Sequence, residues 1–195
     1  MFIDYVTMLL VNMAAGLLVL SVYLFGQSAE EKRNWWSVAL GAAGFVAVVG
    51  GLHMTFTWPL PGSFNIVFGE MSIFFGVIFL AIGLSVWRDW SLVPVAVYAL
   101  LPGAVAIMLG IRLMHLEMTQ SPMLAGVGFI LSGLGGMLVL PATVLKKSGL
   151  IRAIASLVLI VAAGIWVLVG FGAYWGHVES MNDWQPPTME ATESE

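Results

Sequence analysis

The sequence predicts an all-α integral membrane protein in which six transmembrane helices form three helix hairpins with a pseudo-threefold repeat. Hydrophobic residues make up 60% of the 195 residues and charged residues only 9%, whereas a soluble domain is about half apolar and a quarter charged. His53, His115 and His177 recur at intervals of 62 residues (115 − 53 and 177 − 115). Soluble enzyme folds and nucleic-acid binding are therefore excluded.

Six apolar stretches, separated by charged residues or prolines, each provide the about 20 residues that a helix needs to cross a bilayer. The predicted helices cover residues 3–25, 35–54, 65–87, 90–113, 123–145 and 150–175. They form one transmembrane domain over residues 1–177, with hairpins at about 1–60, 61–122 and 123–177. A polar, acidic tail follows at 178–195.

The first predicted helix carries Asn12 close to the middle of the bilayer. An unpaired amide there costs a few kcal/mol, so Asn12 is expected either to bond to another helix or to face a pore. No Lys or Arg precedes Lys32, so the basic region of a cleaved signal peptide is missing. This helix is therefore expected to stay in the mature protein. The second helix carries His53 in its last turn.

The third and fourth predicted helices carry opposite charges near the same end. At a rise of about 1.5 Å per residue, Glu70 lies roughly 8 Å into the bilayer from Asn65. An ionised carboxylate there must pair, line a watery cavity or become protonated. Arg112, near the end of the fourth helix, is the candidate partner for a structural ion pair, and a functional role for Glu70 is the alternative.

The fifth predicted helix carries Ser132 near its middle, and the sixth is followed by His177. Several glycines cluster in these and other helices, where a small residue lets two helix backbones approach closely. The clustered glycines are Gly41, Gly44, Gly133, Gly135, Gly136, Gly172 and Gly176. Helix packing is the expected role of all of them.

The positions of the basic residues predict the orientation of the protein in the membrane. Six of them fall at the connections between helices 1 and 2, 3 and 4, and 5 and 6, and only Arg112 lies on the opposite side. The six are Lys32, Arg33, Arg88, Lys146, Lys147 and Arg152. Because Lys and Arg are retained on the cytoplasmic side, the protein is expected in the plasma membrane with both termini extracytoplasmic.

The repeat extends beyond the histidines. HMTFTWP from His53 and HLEMTQSP from His115 both place a threonine four residues later, followed by a proline. A fixed period is the mark of a repeated supersecondary unit, and three such hairpins suit an axis along the membrane normal. The alternative is that six helices of similar length place boundary residues at similar intervals.

A metal site is an alternative interpretation of the histidines. If His53, His115 and His177 converge at one mouth, three imidazoles suit zinc or copper, and two of them suit haem. Methionines beside them, such as Met54 and Met114, suit copper(I), although methionine is also a common filler of apolar helices. The protein would then be a metal- or haem-binding subunit of a larger respiratory or oxygenase complex.

Short motifs resemble the AmiS/UreI urea and amide channel family. Asn12 in LLVNMAAG, GVIFLA from Gly76, Asp89 with Trp90, and Pro102 follow in an order similar to that family's first, third and fourth spans. The fifth helix lacks the family's tryptophans, and the sixth lacks its carboxylate. Residues 51–70, GLHMTFTWPLPGSFNIVFGE, also resemble a signature of an uncharacterised prokaryotic family of small membrane proteins.

The resemblance implies a channel for small neutral solutes such as urea, short amides, ammonia or water. Asn12 and Ser132 are the expected pore residues. The expected outer vestibule, which would gate the pore with pH, consists of His53, Glu70, His115, Glu117 and His177. No phosphate-binding loop or catalytic set of side chains indicates an enzyme, and no cofactor is predicted for a channel. The expected partners are the lipid bilayer and either further copies of this chain or other membrane subunits.

Overall fold

The structure, a computed structural model, describes residues 4–26, 33–145, 148–182 and 184. Within these residues all regular structure is helical. The elements are α1 (Tyr5–Phe25), α2 (Arg33–Thr57), a π-helical turn (Asn65–Glu70) that continues into α3 (Met71–Arg88), α4 (Val93–His115), α5 (Pro122–Val144) and α6 (Gly149–Ser180). Among the described residues, six helices are long and apolar enough to cross a membrane. The predicted all-α class with six such helices is confirmed.

Local capping fixes several helix ends. Asp4 accepts a hydrogen bond from the Thr7 backbone N–H at 3.3 Å and begins α1. Ser148 accepts one from the Ile151 backbone N–H at 3.4 Å and begins α6. These side chains satisfy N–H groups that have no partner in the first helical turn. At the other end of α3, Asp89 adopts a left-handed conformation with φ of 60° and ends the helix.

The last helix is longer than the sequence predicts. α6 continues beyond Trp175 to Ser180, and therefore includes His177 and the first residues of the predicted tail. Hydropathy predicts where a segment leaves the bilayer, whereas the helix continues as long as its backbone hydrogen bonds do. Residue 183 and residues 185–195 of the predicted tail lie outside the described residues.

The six helices form a closed ring in chain order. Each helix contacts the next one along the chain, and α6 contacts α1. The most extensive contacts join α2 to α3, α4 to α5, and α6 to α1. Each of the closest helix pairs therefore joins one predicted hairpin to another. The two helices of the same hairpin are in less extensive contact.

Small residues explain the closeness of the α2/α3 pair. A Cβ atom on Gly44 would lie 2.7 Å from the carbonyl oxygen of Gly76, and one on Gly51 would lie 2.7 Å from that of Gly69. Within each helix the two glycines are seven residues apart, or about two turns. Only hydrogen in place of a side chain allows this separation of the backbones.

The α4/α5 pair is built in the same way. A Cβ atom on Gly103 would lie 2.8 Å from the carbonyl oxygen of Gly133, and one on Gly110 would lie 2.6 Å from that of Gly126. Again, seven residues separate the two glycines of each helix. The two helix pairs thus share one packing device.

The α6/α1 pair uses serine and glycine. The Ser21 hydroxyl donates to the Ser156 carbonyl at 2.9 Å, and the Ser156 hydroxyl donates to the Ser21 carbonyl at 3.0 Å. Near the other end of the pair, a Cβ atom on Gly170 would lie 2.8 Å from the Val11 side chain. The reciprocal hydrogen bonds satisfy both buried hydroxyls and hold the last helix against the first.

Candidate functional site

Three histidines lie at one end of the ring, which we call the histidine end. At this end α1, the π-helical turn and α5 begin, and α2, α4 and α6 finish. His53 lies in the last turns of α2, His115 is the last residue of α4, and His177 lies in the last turn of α6. Arg88 and Arg152 lie at the opposite end.

His177 joins α6 to the start of α1. Its Nδ1 lies 2.5 Å from Oδ2 of Asp4 and 3.4 Å from the hydroxyl of Thr7. The His177 side chain is 40% exposed and that of Asp4 is 20% exposed, so water reaches the pair. Asp4 caps α1 with its other carboxylate oxygen, and one carboxylate therefore both begins α1 and holds α6.

His53 joins α2 to the same turn of α1. Its Nε2 lies 2.8 Å from the Tyr5 hydroxyl, and the two ring centroids are 5.0 Å apart. Asp4 and Tyr5 are adjacent in the chain. The first turn of α1 is therefore held between α2 and α6 by the two histidines.

His115 lies apart from these contacts. Its Nδ1 is 3.4 Å from Nη1 of Arg112, one turn earlier in the same helix, and both side chains are exposed. Across the described ranges, no group of three or more His, Asp or Glu side chains could hold a metal ion. Binding of copper, zinc or haem by His53, His115 and His177 therefore has no support from this geometry and stays a prediction.

The two glutamates of the predicted vestibule lie apart from the histidine contacts. Glu70 is the last residue of the π-helical turn and is partly buried. Glu117 is an exposed residue of the α4–α5 connection, with φ of 47°. Among the described residues, neither carboxylate has a hydrogen bond or an ion pair. The predicted ion pair between Glu70 and Arg112 is not formed in this structure.

Asn12 and Ser132 both bond to neighbouring groups. The Asn12 side-chain amide donates to the Ala43 carbonyl at 2.8 Å and so links α1 to α2. The Ser132 hydroxyl donates to the Gly128 carbonyl at 2.7 Å and accepts from the indole N–H of Trp166 at 2.9 Å. Asn12 thus makes the interhelical bond that was one of its two expected roles, and Ser132 links α5 to α6.

A cavity of about 20 Å³ lies at the centre of the ring. Five helices line it, and α2 does not contribute. The lining side chains are apolar except for one hydroxyl, and they come from Leu17, Leu20, Phe75, Ile78, Phe79, Ile82, Val95, Ala96, Ala99, Gly103, Ser132, Gly136, Val139 and Leu159. About one water molecule needs 10–15 Å³, so the cavity is of water size.

A row of aromatic contacts connects the start of the α3 segment to the cavity wall. Phe64 and Phe68 stack with centroids 6.1 Å apart, and Phe68 meets Phe129 at 5.7 Å. Phe129 meets Trp166 edge to face at 5.2 Å, and Trp166 bonds to Ser132 at the cavity wall. Aromatic pairs at these distances attract one another beyond simple burial.

A family model described as "Protein of unknown function (DUF981)" matches residues 1–180. The chain belongs to the DUF981 family. The match ends at the residue where α6 ends, so the DUF981 region includes all six helices and all three histidines. No curated protein and no solved structure matches the chain.

Several polar residues of this DUF981 protein have partners that the sequence does not predict. Asp4 and Tyr5 hold the two histidines, and Trp166 bonds to Ser132. One signal was present in the sequence, because a tryptophan in the middle of an apolar helix needs an acceptor for its N–H group. No signal linked residues 4 and 177, since their contact depends on the ring closing.

Proposed function

We propose that this DUF981 protein is a membrane channel for small neutral solutes and that the structure is its closed form. The observation that supports the proposal is the water-sized cavity on the axis of the ring. Its lining has one hydroxyl and no charged side chain. Such a passage rejects ions because they would lose their hydration without compensation, but it admits small neutral molecules.

The size of the cavity predicts which solutes pass most easily. Water and ammonia fit a volume of about 20 Å³, whereas urea and short amides need a wider passage. We therefore expect the closed form to open by movement of the row of aromatic side chains that ends at the cavity wall. Phe129 is central to this movement, because its ring contacts both Phe68 and Trp166.

We propose that the protein lies in the plasma membrane and that its histidine end faces the outside of the cell. Arg88 and Arg152 lie at the other end, and the Lys and Arg of inter-helix connections are retained in the cytoplasm. Three more basic residues of those connections, Lys32, Lys146 and Lys147, lie outside the described residues. The equal histidine spacing and the shared glycine packing of α2/α3 and α4/α5 support a pseudo-threefold axis through the cavity.

Removal of the Phe129 ring tests the proposal. Purified protein is reconstituted into liposomes, and uptake of water, ammonia, urea and acetamide is followed by stopped-flow light scattering or internal pH. Phe129→Ala is expected to raise permeability, most for urea and acetamide, because the contacts of its ring with Phe68 and Trp166 are lost. Phe45→Ala, at a phenylalanine of α2 that is 62% exposed, is the matched control and is expected to behave as wild type.

One outcome of these permeability measurements would contradict the proposal. If folded wild-type protein and folded Phe129→Ala both give the permeability of protein-free liposomes for all four solutes, the channel proposal is wrong.

A further inference from the structure

Glu70 lies on the outward face of its helix. Ile66 and Phe74, about one turn before and after it, are 39% and 38% exposed, and Val77 is 37% exposed. The opposite face of the same segment is buried and includes Phe68, which is 5% exposed, whereas Glu70 is only partly buried. In the membrane that these helices are long enough to span, the carboxylate therefore lies at the lipid-facing side of the ring.

A carboxylate in that position is costly. It lies roughly 8 Å from the start of the helical segment, at about 1.5 Å per residue. Within the described residues it has no hydrogen bond and no ion pair. Ionisable groups in membrane helices almost always pair or face an interior, so Glu70 needs a partner that the described residues of one copy do not provide.

Arg112 has the complementary position on the next helix of the ring. It lies three residues before the end of α4, at a depth similar to that of Glu70, and its side chain is exposed. Its described contact is the one with His115 at 3.4 Å, which is not an opposite charge. On α4, Met108 and Ile111 are each 53% exposed, so Arg112 also belongs to an outward face.

From these positions we propose that two copies of this chain associate through the outward faces of α3 and α4, with Glu70 of each copy paired with Arg112 of the other. A twofold axis along the membrane normal brings the two helices of one copy opposite those of the second. The interface is then self-complementary, as a closed dimer requires. Each costly charge gains an opposite charge at its own depth.

Charge complementarity favours a second copy over lipid as the occupant of this face. Apolar lipid chains cover exposed leucine and methionine as well as a protein does, but they give nothing to a carboxylate. A lipid phosphate could meet Arg112, yet it would repel Glu70. A second copy satisfies both groups at once, and this inference does not depend on solute passage.

Charge reversal tests the dimer. The full chain is placed in liposomes at several protein-to-lipid ratios, and the number of copies per complex is counted by single-molecule photobleaching. Wild type is expected to form dimers, and Glu70→Arg and Arg112→Glu are each expected to weaken dimerisation about 10-fold or more because like charges then face each other. The variant with both changes is expected to return to within a few-fold of wild type.

Two controls keep the test decisive. Glu117→Arg reverses an exposed carboxylate of the α4–α5 connection, which is outside the two helices of this face, and it is expected to dimerise as wild type. If the reversed variants do not fold, Glu70→Gln and Arg112→Gln replace them, and each must weaken dimerisation while the unfolding temperature is retained.

Three results would overturn the proposal. They are a wild type that is monomeric at every protein density, single variants that dimerise as wild type, and a double reversal that does not restore the dimer. Monomeric wild type with bound anionic lipid that is lost in Arg112→Gln would assign Arg112 to a lipid headgroup instead.

Discussion

The hydrogen bond between Trp166 and Ser132 is the main polar contact at the cavity wall. Both side chains are buried, with exposed fractions of 2% and 1%. Ser132 can donate to the Gly128 carbonyl with or without the tryptophan, whereas the Trp166 N–H has Ser132 as its acceptor. The two groups therefore differ in what they lose when the other is removed.

We expect Ser132→Ala to lower the free energy of unfolding by about 1–3 kcal/mol, because it leaves the buried Trp166 N–H without a partner. The loss is measured by reversible unfolding in mixed detergent. Trp166→Phe is the comparison, since it removes the N–H group but keeps a ring against Phe129 and leaves Ser132 bonded to Gly128. The double variant Ser132→Ala with Trp166→Phe is expected to be more stable than Ser132→Ala alone, because no buried N–H group is then left unpaired. A double variant with a lower free energy of unfolding than Ser132→Ala would contradict this interpretation.

The histidine end carries a prediction about how firmly α1 is held. Oδ2 of Asp4 lies 2.5 Å from Nδ1 of His177, and a hydrogen bond to a carboxylate is stronger than one between two neutral groups. The groups in contact with the two histidines that hold α1 are Asp4, Tyr5 and Thr7, so loss of the His177 contacts is expected to loosen α1 and to raise solute flux.

In liposomes, we expect His177→Ala to raise permeability above that of wild type, because α6 then loses its contacts with Asp4 and Thr7. His177→Gln keeps a hydrogen-bonding side chain, so its permeability is expected to lie closer to that of wild type. Equal permeability of His177→Ala and wild type would show that the Asp4–His177 contact does not restrain solute flux.

At the scale of helices, the sequence predicts the number and approximate limits of the spans, because hydropathy over about 20 residues measures what a bilayer requires. It predicts the closeness of helices less well. Gly44, Gly133 and Gly135 do lie against neighbouring helices, as expected. Gly41 also lies at a helix contact, because a Cβ atom on Gly83 of α3 would lie 3.1 Å from its backbone nitrogen. The same expectation is wrong for Gly136, Gly172 and Gly176, where a Cβ atom would meet nothing within 4 Å.

The reason is that composition does not record which face of a helix meets a neighbour. Gly172 and Gly176 lie on the exposed part of α6, where no helix approaches. Glu70 and Arg112, the candidate ion pair, do not pair within one copy among the described residues, and a functional role for Glu70 stays the alternative. Equal depth brings two residues together only if both face the same way. His53 and His115 lie in the last turns of α2 and α4, and His177 lies in the last turn of α6, beyond the limit predicted for that helix.

Two alanine substitutions distinguish a glycine that packs against a neighbouring helix from a glycine that faces open space. We expect Gly110→Ala to lower the free energy of unfolding by about 1–3 kcal/mol, because the new Cβ would lie 2.6 Å from the Gly126 carbonyl oxygen. Gly172→Ala adds the same atom in open space and is expected to be neutral or to stabilise by up to about 1 kcal/mol through helix propensity. Equal unfolding free energies for the two variants would contradict the packing of α4 on α5.

For the molecule as a whole, the proposed solute path depends on the small apolar cavity that five helices line. Three buried serines, Ser21, Ser132 and Ser156, and the partly buried Asn12 all bond to neighbouring backbone or side-chain groups. The wall is therefore rigid and largely apolar, and the path along the axis is the part that solute passage would use.

Filling this cavity is the most direct test of the central claim. Gly136 lines it, and a Cβ atom there would meet nothing within 4 Å, so Gly136→Val occupies the space without displacing a neighbour's backbone. Gly164→Val makes the same change at an exposed glycine of α6. In stopped-flow measurements on liposomes, wild type and Gly164→Val are expected to conduct water and ammonia well above protein-free liposomes, and Gly136→Val is expected to conduct neither. Equal permeability of Gly136→Val and wild type would contradict a solute path through the centre of the ring.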